Sequence, residues 1–369
     1  MFITGLCAGK VPVRTPSYDR AAGYKKGYLM SQNLNVCQGQ HVRLDRHPSR
    51  GRLRAVVVAT AIIAAGMAPA VVSAGSGNTS DRSAKPLTLA LIGDVPYGTV
   101  QEETFSSLIN AVNDDPKVRI VAHVGDIKSG STECTDERFA AVATAFATFQ
   151  DPLIYTPGDN EWTDCHRVNN GSFDPLERLD AVRQLFFSEP GTALGRHPMR
   201  VEFEPTLVEN VRWIESQVAF ATLHVIGSNN GLAPWTGLGN AVPTPEQSAE
   251  VAARIDATNQ WIDETFDAAE AQDLAGVVLL MQADTWSPTP ASAQQAIVDR
   301  IAERTAAFAG KVLLIQGDSH TYKVDNPLGL DNFTRIVVHG ETLPFEYLQL
   351  TVDPRNEQLF EWARVPVAG

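Results

Sequence analysis

Five short apolar runs in this chain end close to acids and amides. Leu87–Ile92 leads into Gly93-Asp94, and Val118–Val124 into Gly125-Asp126. Leu153–Tyr155 leads, two residues on, into Gly158-Asp159-Asn160-Glu161. Val312–Ile315 leads into Gly317-Asp318-Ser319-His320, and Val277–Met281 into Gln282-Ala283-Asp284. Any one of these clusters is ordinary turn chemistry, since Gly, Asp and Asn all favour turns. The ordered set says more. Glycine lets the backbone turn sharply at a strand end, and the carboxylate that follows then faces the crevice beyond the sheet. Carboxylates that converge without Lys or Arg among them repel, and such a cluster is tolerable when a cation is bound.

The elements that must position these residues follow from the pattern. Short, continuous apolar runs read as buried parallel strands. Between them Phe105, Leu108, Ile109 and Val112 recur at helical spacing, as do Phe139, Val142, Phe146 and Phe149 behind a candidate cap at Thr135. Val251, Ile255, Ile262 and Phe266 mark a third helix, and Ile297, Ile301 and Phe308 a fourth. Strand and helix in alternation predict an α/β layered domain. Residues 171–245 fit less well and read as an insertion plus one strand, Val218–Ile226, which starts a second sheet. The tail, Thr334–His339, Phe345–Val352 and Gln358–Ala363, reads as a β-meander.

The chain has 369 residues and a formal net charge of −13, unevenly spread. Residues 1–74 hold 10 Lys+Arg and 2 Asp+Glu, or +8; the remainder holds 20 and 41, or −21. The acidic remainder argues against nucleic acid as a standing partner, but not against a small phosphorylated substrate beside a metal. Arg46, Arg50, Arg52 and Arg54 precede an uncharged run over residues 55–72, and Val72-Ser73-Ala74-Gly75 follows. This is the order of a secretory signal, expected over residues 30–74 and cleaved after Ala74, so that no stable membrane anchor is expected in the mature protein. Residues 1–29 read as a leader or a misassigned start before Met30. The expected mature domain, residues 75–369, keeps Cys134 and Cys165. A pair in an exported chain reads as a disulfide, the alternative being two independent buried thiols.

The ordered motifs resemble those of the calcineurin-like metallophosphoesterases, over residues 87–350. That family carries Asp-x-His, Gly-Asp, Gly-Asn-His-Asp/Glu, a lone His and Gly-His-x-His, each after a strand. Here the series is Asp94-Val95-Pro96, Gly125-Asp126, Gly158-Asp159-Asn160-Glu161, Gln282 and Gly317-Asp318-Ser319-His320. The resemblance implies a four-layer α/β/β/α sandwich and hydrolysis of phosphomonoesters or phosphodiesters by metal-activated water. It implies Asp126 as a bridging ligand, Asp94 and His320 on a first metal, and Asp159, Gln282 and Asp318 on a second. Several family histidines are replaced: Pro96, Asn160, Gln282 and Asp318 stand in their places. Oxygen donors have thus replaced nitrogen donors, which favours one or two Mn²⁺ or Mg²⁺ ions. Asn160 holds the family's catalytic position, and His166 is the candidate acid for the leaving group, or else a surface histidine. Arg167, Asn229 and His339 are candidate substrate contacts, with Lys323 a weaker one. His123 and His224 read as structural, and Trp261 and Trp286 as packing residues. A Cys134–Cys165 bond would clamp two motif loops. The degraded histidine set keeps a second reading open, a non-catalytic relative that binds a ligand or partner.

Mass spectrometry of the exported protein is expected to show a new N-terminus at or near Gly75. An intact, membrane-embedded form would contradict the signal reading.

Overall fold

The computed structural model describes residues 85–367. The expected leader and signal, residues 1–74, lie outside the described residues. Twelve strands are described. The first six are β1 (Leu87–Ile92), β2 (Val118–His123), β3 (Leu153–Tyr155), β4 (Glu202–Glu204), β5 (Leu207–Glu215) and β6 (Val218–Thr222). The others are β7 (Gly276–Leu280), β8 (Lys311–Gln316), β9 (Lys323–Asp325), β10 (Phe333–Val337), β11 (Glu346–Val352) and β12 (Phe360–Pro366). One sheet has the order β12-β11-β1-β2-β3 and the other β4-β5-β6-β7-β8-β10-β9.

Side-chain alternation explains how they stack. Leu87, Leu89 and Leu91 of β1 meet Phe220, Val278, Leu280, Leu313 and Ile315 in a core between the two sheets. Ala90 and Ile92 point the other way. They pack under α1 (Gly98–Asn113), α2 (Asp136–Phe146) and α3 (Pro175–Phe186). Val312 and Leu314 of β8 turn outward under α4 (Pro245–Ala271) and α5 (Gln295–Ala307). Strands buried on both faces need apolar residues at every position, which is why these runs are continuous in sequence. The result is the expected four-layer α/β/β/α sandwich.

Local signals agree with most elements. Thr135 caps α2 by accepting from Arg138 N at 3.2 Å. Thr244 and Gln247 form a reciprocal capping box at the start of α4. The sequence reading missed α3, although Asp174 caps it and Pro175 opens it. Its buried residues Leu179, Val182 and Phe186 recur at helical spacing, a signal masked by the Pro- and Gly-rich surroundings. Two expectations need correction. The segment before β6 is more than an insertion, because it supplies β4 and β5 to the second sheet. The tail is not a meander: β10 lies parallel to β8 in one sheet, while β11 and β12 belong to the other. A run of three strands cannot disclose by itself that its first member pairs elsewhere.

A buried ionic group fixes the exit of β6. Glu209 of β5 accepts from His224 Nδ1 at 2.7 Å and from Arg183 Nη2 of α3 at 2.6 Å. The His224 backbone N–H donates to Asn210 Oδ1 at 2.7 Å. Burial alone would raise the Glu209 carboxyl, but the hydrogen bonds from His224 and Arg183 and the Arg183 charge outweigh it and hold it at about 2. Burial lowers His224 and favours a neutral ring that donates through Nδ1. The depressed value means stability present above the ordinary value of 4.5 and lost as pH falls toward about 2. Glu209→Gln, which leaves Arg183 unpaired, is expected to cost about 3 kcal/mol near neutrality. The cost should shrink on acidification through that window. Urea denaturation at several pH values checks this, and an unchanged midpoint would contradict it.

Candidate metal centre

The carboxyl ends of β1, β2 and β3 from one sheet meet those of β6, β7 and β8 from the other. The residues after these strands therefore converge. Asp94, Asp126, Asp318 and His320 all have left-handed backbones, with φ of 54°, 59°, 70° and 58°. Asp tolerates this region better than most residues, but four such residues in one place is strain of the kind that gathers at functional sites. The fit is also close. A Cβ at Gly158 would lie 2.1 Å from Asp126 Oδ1, and one at Gly317 would lie 2.7 Å from Asp94 Oδ2. At both positions glycine is required because a carboxylate rests against the backbone.

His123, read as structural, is a staple between two of the motif turns. Its Nε2 donates to Val95 O at 2.8 Å, while Gly125 N–H donates to its Nδ1 at 3.2 Å. Burial lowers its pKa to about 4, so the ring is neutral and this one tautomer serves both bonds. Glu161 works similarly from below. Its Oε1 accepts from Asp126 N, Gly158 N and Tyr155 Oη at 3.1, 2.6 and 2.7 Å.

Asp126 sits at the centre. Its Oδ2 accepts from Tyr97 Oη at 3.0 Å, Asn160 Nδ2 at 2.9 Å and Gln282 Nε2 at 3.0 Å. Its Oδ1 accepts from Asn160 N at 3.1 Å. Asn160 Nδ2 also donates to Tyr97 Oη at 2.8 Å. Gln282 Nε2 reaches Asp159 Oδ1 at 3.1 Å, while its Oε1 accepts from Gly227 N at 2.7 Å. As it stands, Gln282 faces the acids with its nitrogen. Tyr97 was missed by the sequence reading, since a tyrosine beside Pro96 carries no local sign of its contact.

The electrostatics are those of crowded, desolvated acids. Burial and then the charge of Asp318 hold the Asp94 carboxyl well above the usual range. Burial and then Asp159 and Glu161 do the same to Asp126. Burial and the Asp159 charge push Asp318 to about 7 and Asp164 to about 8. Ser228 Oγ lies 2.9 Å from Asp159 Oδ2 and 2.7 Å from Asp164 Oδ1. One hydroxyl has one proton to give, so the two acids share it. The expectation of no cation among the acids is corrected by Lys128. It is fully buried two residues after Asp126, its Nζ donates to Ser129 O at 3.0 Å, and its nearest charges are those of Glu161 and Asp126. Burial pulls its pKa down to about 8 against those charges.

The remaining candidates are placed as follows. His320 Nε2 lies 3.5 Å from Asp94 Oδ1, and its Nδ1 is 2.6 Å from Glu341 Oε2. Cys134 and Cys165 are disulfide-bonded, and both sulfurs lie 3.6 Å from the Asn160 carbonyl oxygen, so the bond packs directly against the motif loop. By loop-closure entropy it stabilises the fold by about 3–4 kcal/mol. Arg167 pairs with Asp164 at 2.7 Å and is half-exposed. Its Nη1 and Asn160 Oδ1 both crowd Gly130. His166 is buried, and its Nδ1 accepts from Gly237 N at 3.2 Å. Asn229 turns away, accepting from Ala293 N at 3.0 Å and meeting Ser292, so Ser228 is the residue of that loop that faces the acids. His339 Nε2 is 3.0 Å from Thr342 Oγ1. Lys323 pairs with Asp325, outside the cluster.

Two groups have the arrangement that could hold an ion: Asp94, Asp126 and His320, and Asp126, Asp159 and Asp318. Within each, one ligand atom per residue lies within 4.8 Å of the others. The first group fits a divalent ion. Its two carboxylates are buried without a paired cation, its backbones are cradled by glycines, and two carboxylates with an imidazole are a donor set for a divalent ion. In the second group the space between Asp126 and Asp159 is already spanned by the Gln282 amide.

No family model and no curated protein matches the chain. Among solved structures it is similar to a dimetal phosphatase from Danio rerio at 13% identity and a TM-score of 0.43, covering 76% of this chain and 99% of that one. A purple acid phosphatase from yellow lupin seeds matches at 11% identity and a TM-score of 0.45, covering 77% of this chain and 52% of that one. A 5'-nucleotidase from Candida albicans matches at 9% identity and a TM-score of 0.39, covering 76% and 51%. The chain thus spans about half the length of the lupin and Candida proteins. None of these likenesses reaches a TM-score of 0.5. The four-layer arrangement and the site stand on this chain's own strand order and contacts.

His123→Phe keeps the ring and removes both staple bonds. It is expected to weaken Mn²⁺ binding by about tenfold, as loss of an outer partner does at metal sites, with a folded far-UV spectrum. Calorimetric titration checks this, and unchanged affinity would contradict the staple's role.

Proposed function

We propose that this protein is an exported, divalent-cation-dependent phosphoesterase acting on small phosphorylated substrates. The observation that carries the reading is the convergence of two buried, glycine-cradled acidic groups that share Asp126 at the mouth between two sheets. The order of motifs along the chain supports it. Asp94, Asp126 and His320 would hold the ion, most simply Mn²⁺ or Mg²⁺. A divalent ion there supplies charge that polarises a phosphoryl oxygen and acidifies water.

The chain's own residues would do the rest. Ser228 offers a hydroxyl at the acid mouth, and half-exposed Arg167 offers a guanidinium suited to phosphate oxygens. Tyr97 and Asn160 hold Asp126 in place and shield it from water. The disulfide holds Asn160 in turn. Export is supported by the disulfide and by the basic, apolar and small-residue order of residues 46–75. Among the described residues no helix is long and apolar enough to cross a membrane.

A specific observation favours a second reading, a non-catalytic cation-binding protein. Asn160 Nδ2 is spent on Tyr97 and Asp126, and His166 Nδ1 is spent on Gly237. Asn160, an amide, supplies no proton to a leaving group, and His166 could do so only through Nε2.

The two readings separate in one experiment. Metal-stripped protein is reloaded with Mn²⁺, Mg²⁺, Ca²⁺ or Zn²⁺ and assayed on aryl phosphomonoesters and diesters. The phosphoesterase reading expects metal-restored hydrolysis, lost by at least a hundredfold in Asp126→Ala with the fold intact, as calibrated by a site worth about 3 kcal/mol or more. Metal binding without hydrolysis of any ester supports the non-catalytic reading.

A further inference from the structure

The second acidic group differs from the first in what lies inside it. Gln282 is fully buried, and its amide nitrogen is 3.0 Å from Asp126 Oδ2 and 3.1 Å from Asp159 Oδ1. A divalent ion serving these two acids would sit at about 2.0–2.6 Å from each oxygen, in the same small space. The orientation of the amide is not free. Oε1 accepts from Gly227 N at 2.7 Å, so turning the amide over would set its NH₂ against a backbone N–H. The stem is held too, because Gly125 approaches Gln282 Cβ and Cγ so closely that a Cβ there would lie 2.8 Å away. Asp126 Oδ2 meanwhile takes two further donors, Tyr97 Oη and Asn160 Nδ2. A second ion on that oxygen would have to displace one of these three donors, while Oδ1 accepts only from Asn160 N among the described residues.

We infer that this site holds one divalent ion, on Asp94, Asp126 and His320, and that the Gln282 amide stands where a second ion would lie, bonding Asp126 to Asp159 in its place. The inference rests on the cation reading proposed above and sharpens it. In the first group no side-chain amide bonds both Asp94 and Asp126 among the described residues: Tyr97 Oη bonds Asp126 alone, and His320 reaches Asp94 at 3.5 Å. The chemistry changes accordingly. A phosphate ester would meet one ion, flanked by Ser228 and Arg167, rather than a pair of ions.

The count of ions tests this without any turnover. The exported protein is stripped and titrated with Mn²⁺ alone by calorimetry, with electron paramagnetic resonance on the same samples. The expected result is one Mn²⁺ per chain with the spectrum of an isolated ion. Gln282→His removes the amide plug and offers a nitrogen ligand, and is expected to raise the count to two with a spin-coupled spectrum. Two ions in the wild type would overturn the inference while leaving the cation reading intact. One ion in a folded Gln282→His would overturn it as well. No binding by the wild type would overturn both. The wild-type count stands by itself should the variant fail to fold.

Discussion

Mutual repulsion of buried carboxylates is the constraint around which this site is arranged. Asp94, Asp126, Asp159 and Glu161 are almost fully removed from water, and Asp318 is close by. At the dielectric of a protein interior, like charges a few ångströms apart cost several kcal/mol per pair. The molecule answers with every donor it can aim. Backbone N–H groups serve Glu161 and Asp94, amides and a phenol serve Asp126, and a serine hydroxyl bridges Asp159 and Asp164. Lys128 brings a positive charge to Glu161 and Asp126, and Arg167 brings one to Asp164. The acids that remain uncompensated are the reason a cation fits.

That constraint explains features which otherwise look unrelated. Donors can reach the acids only if the backbone comes very near, so Gly158 and Gly317 stand against carboxylates. The turns must present acids and backbone together, so Asp94, Asp126 and Asp318 accept left-handed conformations. Turns under such strain need bracing. His123 ties the first two, and the Cys134–Cys165 bond rests on Asn160. The Glu209, His224 and Arg183 group anchors the exit of β6 ahead of Ser228.

The sequence disclosed the strands best where burial on both faces forced an unbroken apolar run, as at Leu87–Ile92 and Leu153–Tyr155. It disclosed the positions of the acids because each follows its own strand. What each residue does there was less legible. An amide offers an oxygen or a nitrogen, and for Gln282 the choice is made by the N–H of Gly227, 55 residues earlier in the chain. Tyr97 and Lys128 became part of the site only through the approach of distant loops. Asn229 and Ser228 are neighbours in one polar turn, and only the backbone path decides which of them faces the acids. The strand β10 was assigned to the wrong partners for the same reason: pairing is a tertiary fact.

The central claim is that the acids of this site are gathered to hold a cation. The most direct measurement is an anomalous difference map at the manganese edge, from crystals of the exported protein grown with Mn²⁺. The account predicts a strong peak within coordination distance of Asp94, Asp126 and His320 Nε2. A map with no peak at these residues, with the protein ordered around them, would contradict it.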